Sequence, residues 1–322
     1  MRTVENYDIK KASFYRTGGV VSCIYFPQTE KELSEIFTTL NSQGRPYFIL
    51  GSGSNLIISE SYFEGSVISL KLMDGISILS DNIIQASAGC LSTTLSLFCK
   101  KQSLSGCEWM YLLPGSIGGA AYMNAGCYGG SMDKVVEAVN YFDALGNLKR
   151  SLDPFIGYRT SIFSSIGSCV ISSVEFSLTL SNLSKIDSKM REVQISRISK
   201  NQFKYPSCGC MFKNDYLSDG LEPTVEKKPA SFLLDKASMK GKRQGGAFVS
   251  QYHANFVFNN KGTSLDILNL AFLMQDTVYD IFGVWLEFEA RLAGNFDSSI
   301  TERFSLKKEF NLERYLKACS DL

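Results

Sequence analysis

Residues 46–58 read PYFILGSGSNLII, and the reading of this stretch decides the fold. Pro46 to Leu50 form an apolar run with the look of a buried strand. Gly51-Ser52-Gly53-Ser54-Asn55 interrupts it, and Leu56, Ile57 and Ile58 begin a second apolar run. The unit is strand, glycine turn, strand. The two glycines flanking Ser52 allow successive backbone N–H groups to turn inward, and the small side chains let an anion come close, which makes a phosphate nest. A plain turn between strands is the alternative that these residues leave open. The pattern is not GxGxxG opening a helix, so it supplies no dinucleotide fingerprint of the Rossmann kind.

Working outward, Thr29-Glu30-Lys31-Glu32 predicts a capping box, with Leu33, Ile36, Phe37 and Leu40 on one helical face and Gly44 ending the run. Short β-like runs follow at 67–70, 76–79 and 83–86, a helix-like run at 91–101, and strands at 137–143 and 170–178. The composition turns polar and charged over 183–204, which suggests a boundary or an inter-domain helix. Beyond it a second α+β region is expected to about residue 297. There, Leu265 to Phe282 reads as a long amphipathic helix. The run VWLEFEARL at 284–292 alternates, so one strand face should carry Trp285, Glu287, Glu289 and Arg291. Residues 298–322 read as a charged helical tail.

The chain has 322 residues, which at roughly 150 per domain suggests two domains. With 33 basic against 32 acidic side chains and 44% hydrophobic residues, it has the balance of an ordinary globular protein, and nothing suggests a polyanion-binding surface. No stretch approaches the roughly 18–20 apolar residues needed to cross a bilayer, and the N-terminus lacks the apolar segment of a signal peptide, so a cytoplasmic location is expected. Nine scattered cysteines without CxxC spacing do not form a disulfide framework, and most are expected to be reduced and buried.

Four further segments could carry chemistry. Residues 113–130 concentrate six glycines with small residues, yet Ile117, Ala120, Tyr122 and Met123 are poor choices for solvent, so a flat or anionic ligand should lie against them. Tyr158-Arg159 places a guanidinium, a planar fork suited to carboxylate or phosphate, beside an aromatic ring. Cys208 and Cys210 stand two apart and point to opposite faces if extended, which disfavours a mutual disulfide. With His253, the only histidine, they give three ligands at most, so no metal site is expected. One of these thiols could be an acid or nucleophile, and a plain buried cysteine is the alternative. Lys227, Lys228, Lys236, Lys240, Lys242 and Arg243 could attract a nucleotide diphosphate or form a solvated face. Without interleaved aromatics they do not suggest nucleic-acid binding.

In order and at these separations, the segments resemble the UDP-N-acetylenolpyruvoylglucosamine reductase (MurB) family. The motifs are Arg16-Thr-Gly-Gly19, the 50–56 turn, Leu113-Pro-Gly-Ser-Ile-Gly-Gly119 with Tyr122-Met-Asn-Ala-Gly126, Tyr158-Arg159-x-Ser161, and Pro206-Ser-Cys-Gly-Cys-x-Phe-Lys213. Gly245-Gly246, His253-Ala254-Asn255 and Trp285-Leu-Glu-x-Glu289 complete the set. The match covers roughly residues 8–297.

The resemblance implies an α+β architecture: a p-cresol-methylhydroxylase-like FAD-binding fold over residues 1–182, in subdomains of roughly 1–70 and 71–182, then a substrate-binding domain over 183–297. The short spacing from Arg159 to Cys210 resembles the class that lacks a tyrosine-bearing insertion. Gly51, Ser52, Gly53, Ser54, Asn55 and Leu56 would hold the FAD pyrophosphate. Pro114, Gly115, Ser116, Gly118, Gly119, Asn124, Ala125 and Gly126 would line the flavin and ribityl chain. FAD would bind noncovalently, because the sole histidine lies far downstream. NADPH would reduce it, leave, and be replaced in the same cleft by the enolpyruvyl sugar nucleotide.

By the same resemblance, Arg159 would bind and polarise the substrate carboxylate, Glu289 would work with it, and Cys210 would deliver the proton where the commoner pattern has serine. Tyr158, Lys200, Lys213, Asn214 and His253 would surround the substrate. A monomer acting on a small-molecule sugar nucleotide, with no membrane or nucleic-acid partner, is expected. Another flavin oxidoreductase of the same fold, or a catalytically silent flavin-binding module, are the competing readings.

Overall fold

The computed structural model describes residues 1–214 and 227–320. Residues 215–226 of the expected substrate domain and 321–322 of the tail lie outside the described residues. The chain divides into two compact units, one of residues 1–7, 21–53 and 63–199, the other of 8–20, 54–62 and 200–322.

In the first unit, Arg2–Asp8, Val20–Phe26, Phe63–Ser69 and Tyr47–Leu50 form a sheet in that spatial order, with Phe63–Ser69 parallel to both of its neighbours. The helix Glu30–Ser42 makes the crossover. It starts as the sequence predicts, with Thr29 Oγ1 accepting from Glu32 N at 3.2 Å, and it buries Leu33, Ile36, Phe37 and Leu40. A second sheet is antiparallel throughout, in the order Leu148–Ser151, Val136–Asp143, Cys169–Ser177, Ile83–Ser87, Ile76–Ser80. Leu95 and Cys99 from the helix Ser92–Lys101 pack with Ile84, Val139, Val174 and Phe176 from this sheet in one core.

The second unit is organised on the helix Ser264–Phe282, opened by a capping box between Thr263 and Asp266 and closed by Gly283 in the left-handed region at φ 67°. Its apolar face buries Ile267, Leu268, Ala271, Met274 and Val278 among Leu233, Leu234, Val249 and Val257. Strands Ala247–Val249 and Val257–Asn259 pair antiparallel, and Leu56–Ile58 pairs parallel with Arg291–Ala293. The architecture is α+β.

Two expectations need correction, for the alternating run and for the cysteines. The runs flanking the 51–55 turn do not pair with each other: Tyr47–Leu50 joins the first unit's sheet, while Leu56–Ile58 pairs with Arg291–Ala293 in the second. The helix Leu183–Ser199, within the 183–204 stretch read as a boundary or an inter-domain helix, falls in the first compact unit and buries Ile186, Met190 and Val193. In the alternating run only Arg291–Ala293 is regular strand, and Trp285, assigned to the polar face, is 5% exposed. Residues 303–308 contact Trp285 and Glu287, the helix Leu312–Ser320 packs against Ser264–Phe282, and Tyr315 is buried. Every cysteine is a thiol, but only Cys90, Cys99, Cys107 and Cys208 are buried; the other five are half-exposed.

Candidate active site

In the first unit the two glycine segments come together. Gly51 has no room for a side chain, since a Cβ there would stand 2.2 Å from Ser116 Oγ. Ser116 is buried, and its hydroxyl has no hydrogen-bond partner among the described residues. The segment around it is laced to 88–92: Ser92 N donates to Gly115 O at 3.0 Å, Ile117 N to Cys90 O at 2.8 Å, and Gly118 N to Ala88 O at 2.8 Å. Gly118 permits this closeness, because a Cβ would lie 2.7 Å from that of Ala88. Gly51 and Ser52 line a cavity of about 220 Å³ with Lys71, Asp74, Gly89, Cys90, Leu91 and Thr94. An orphaned hydroxyl beside a cradle that any Cβ would fill suits the phosphate-bearing part of a nucleotide cofactor. Gly89, Lys71 and Thr94 escape sequence reading because they lie in runs with no glycine-rich signature.

The far end of the glycine segment is fixed by Arg159. Its guanidinium donates to Asn124 O at 3.3 Å and to Gly126 O at 2.7 Å, and lies 4.8 Å from the Tyr158 ring centroid. Asn124, buried, donates through Nδ2 to Gly157 O at 2.9 Å, and Ser161 Oγ donates to Tyr122 O at 2.7 Å. Arg159 and Asn124 both adopt positive φ, 54° and 42°, conformations that cost non-glycine residues on the order of 1 kcal/mol each. Such strain persists where the surroundings impose it, and here the result is a half-buried cation held against Asn124 and Gly126. Pro114 and Gly119 lie on the same segment, and Ala125 N is bonded to Ala120 O at 2.9 Å.

In the second unit the 210–213 segment is the middle of a short ladder. Met211 N donates to Asn255 O at 2.8 Å on one side; on the other, Lys213 N donates to Glu287 O at 2.8 Å and Glu289 N to Met211 O at 2.9 Å. Cys210 bridges Phe256, and Phe212 bridges Phe288. This register sets Glu289 across from Met211, the neighbour of Cys210. Fully buried Asn255 locks it, its amide accepting from Phe212 N at 2.9 Å and donating to Phe212 O at 2.8 Å. Asn255 is a missed positioning residue, and its place in the His253-Ala254-Asn255 motif was the available signal.

Several predicted contacts are used internally. Asn55 Nδ2 donates to Glu289 O at 2.9 Å and Asn55 O accepts from Arg291 N at 3.0 Å, so Asn55, with Leu56 in the adjoining strand, braces the glutamate's segment. Ser54 falls on the second unit's side of the turn, while Gly53, at φ 70°, ends the first unit's side. Lys213 Nζ pairs with Glu287 Oε2 at 3.3 Å, and Asn214 Oδ1 accepts from Ala230 N at 3.1 Å.

Two thiols two residues apart have different surroundings. Cys208 is buried at 3.5 Å from the Tyr15 hydroxyl, and burial, with Glu289 adding to it, pushes its thiol up to about 12. Cys210 is half-exposed.

His253 packs edge-on against Phe256 at 4.8 Å, and its Nδ1 has no partner among the described residues. Burial, then the charges of Lys200 and Lys240, lower its pKa to about 4 from 6.5. The imidazole is therefore neutral at pH 7. Between the two values the unfolded chain binds a proton that the folded chain does not. Stability should then be lost as pH falls from about 6.5 to 4, by up to about 3 kcal/mol. Urea midpoints at pH 7 and pH 5 should differ less in His253→Gln than in the parent, and equal differences would disprove the burial argument.

The family model described as FAD binding domain matches residues 21–151, and that of the UDP-N-acetylenolpyruvoylglucosamine reductase C-terminal domain matches 201–293. A UDP-N-acetylenolpyruvoylglucosamine reductase of Lactiplantibacillus plantarum is 33% identical over 87% of this chain and 89% of its own length. One from Listeria monocytogenes is 35% identical over 90% and 94%. The crystal structure of the Thermus caldophilus UDP-N-acetylenolpyruvylglucosamine reductase superposes with a TM-score of 0.71 at 27% identity, covering 90% of this chain and 98% of that one. With both glycine segments and these identities along most of its length, the chain belongs to the UDP-N-acetylenolpyruvoylglucosamine reductase family of FAD-dependent oxidoreductases.

Proposed function

We propose that this protein reduces the enolpyruvyl ether of UDP-N-acetylglucosamine-enolpyruvate to UDP-N-acetylmuramate for peptidoglycan precursor synthesis, with NADPH as electron donor, in two alternating half-reactions. The observation that carries this reading is the short ladder in which Glu289 stands across from Met211, the residue next to half-exposed Cys210. FAD, seated on Gly51, Ser52 and the 115–118 segment, supplies hydride when bound. Addition of hydride to the methylene carbon of an enolpyruvyl group leaves an enolate, whose charge is shared with the adjacent carboxylate.

This chain's residues meet those charges. Arg159, its guanidinium oriented by two backbone carbonyls, binds the substrate carboxylate and lowers the energy of the enolate. Cys210 holds the proton that quenches the neighbouring carbon, a thiol being intrinsically a stronger acid than the serine hydroxyl of the commoner pattern. Glu289, its segment braced by Met211 and Asn55, is the carboxyl group that acts on the enolate. His253, neutral at pH 7, offers a hydrogen bond rather than a charge to the substrate, with Lys200 supplying charge nearby. Tyr158 flanks the Arg159 cation.

An anaerobic titration tests the reading. NADPH should bleach the bound flavin, and enolpyruvyl-UDP-N-acetylglucosamine should restore its colour with one UDP-N-acetylmuramate formed per flavin. Reoxidation by oxygen but not by the enolpyruvyl compound would indicate a different oxidoreductase. Absence of bleaching by NADPH or NADH would indicate a silent binding module.

A further inference from the structure

The tail at 298–320 lies beyond the family match, which ends at residue 293, and the proposed chemistry assigns it nothing. Contacts from its residues 303–307 nevertheless reach four consecutive residues, one of them through Gln275. Trp285 Nε1 donates to Leu306 O at 2.6 Å. Leu286 O accepts from Gln275 Nε2 at 2.6 Å, and the Gln275 carbonyl oxygen accepts from Arg303 at 2.7 Å. Glu287 pairs with Lys307 at 3.5 Å. Phe288 stacks on Phe304, with centroids 4.2 Å apart and rings 16° from parallel. The next residue is Glu289.

Arg303 ties this arrangement to the long helix. Besides Gln275 it donates to Asp276 Oδ1 at 2.8 Å, and its guanidinium lies over Phe272 at 4.7 Å and Trp285 at 4.9 Å. Phe288 in turn contacts Phe212 at 5.0 Å, two residues from Cys210. Residues 284–287 are not regular strand, so sheet bonding alone does not fix them. From this convergence we propose that the tail helix Ser298–Ser305 and the following 306–308 are a clamp, in which Phe304 and Arg303 are positioning residues that set the 285–288 backbone and thereby aim the Glu289 carboxyl. The proposal rests on the reading of Glu289 given above.

The test uses the full-length, flavin-loaded protein and separates the half-reactions by stopped flow. Phe304→Ala should slow reoxidation of reduced flavin by the enolpyruvyl sugar nucleotide about 10- to 100-fold, the order of loss that follows a displacement of about 1 Å. Reduction by NADPH should stay within about twofold of the parent, because Glu289 takes no part in it. Phe304→Tyr, which keeps the stacked ring, should restore the oxidative rate. If Phe304→Ala does not yield folded protein, Phe304→Leu gives the same reading with the apolar volume preserved. Equal loss in both half-reactions, or none in either, overturns the clamp. Glu289→Gln distinguishes the two levels: a slow Glu289→Gln beside a fast Phe304→Ala removes the clamp alone, whereas a Glu289→Gln at the parent rate removes the role of Glu289 and the clamp with it.

Discussion

A Cys210→Ala variant is expected to retain reduction of its flavin by NADPH and to lose reoxidation by the enolpyruvyl sugar nucleotide by a factor on the order of 10²–10⁴, the range attributed to a positioned proton donor. Cys210→Ser should recover most of that rate, since serine stands here in the commoner family pattern. The same pair of variants separates Cys210 from Cys208. Cys208 is buried against the Tyr15 hydroxyl and its thiol is pushed up to about 12, so almost none of it is thiolate near neutrality. Iodoacetamide at pH 7 should therefore alkylate Cys210 and spare Cys208, whose thiolate fraction at that pH is on the order of 10⁻⁵. Mass spectrometry after trypsin digestion reads this directly. Inactivation should parallel Cys210 modification, and Cys210→Ser should resist it. Full turnover in Cys210→Ala would remove the acid from the scheme.

How much of this could be read from the sequence depended on the range of the forces involved. The helix Glu30–Ser42 and the long helix Ser264–Phe282 were legible because capping and face periodicity are local: Thr29 caps Glu32, and Leu33, Ile36, Phe37 and Leu40 fall on one side. The glycine turn was legible as a nest, yet its connectivity was not. Nothing in GSGSN says that the strand before it pairs in one unit and the strand after it in the other, because pairing partners lie far along the chain. The alternation of 284–292 misled for a related reason. A period of two predicts a face open to solvent, but the tail covers that face, and Trp285 is buried under Leu306, Arg303 and Lys308.

The site follows the same division. Arg159, Cys210 and Glu289 were named from motif chemistry, whereas their braces were not. Asn55, expected at the FAD pyrophosphate, also holds the Glu289 carbonyl, and Asn255 fastens Phe212 through a pair of hydrogen bonds from its side-chain amide. Such roles depend on backbone atoms of distant residues, which carry no sequence identity and so leave no pattern to recognise.

Gly89→Ala should cost the protein its flavin. A Cβ at residue 89 would lie 1.7 Å from Leu70 O and 2.8 Å from Met73 O, atoms of the backbone that cannot rotate away. Gly89 N donates to Met73 O at 2.8 Å, and its neighbour Ala88 accepts from Gly118, so the displaced chain would take the 115–118 segment with it. Overpacking of this kind costs about 1–3 kcal/mol, occasionally more, and the strain falls on the cavity that Gly89 lines with Gly51 and Ser52. The purified variant should contain less than about a tenth of the parent's flavin and melt several degrees lower. Gly75→Ala is the matched control: a Cβ there meets only Ser87 Oγ at 3.5 Å, an ordinary contact, so flavin content and Tm should stay at parent values. Visible absorbance per polypeptide together with a thermal melt measures both. Parent-like flavin in Gly89→Ala would mean that the cofactor's phosphates are held elsewhere than in the cradle formed by Gly51, Ser52 and Ser116, whereas loss in both variants would mean that the 73–75 turn, rather than the contact at Gly89, controls the cavity.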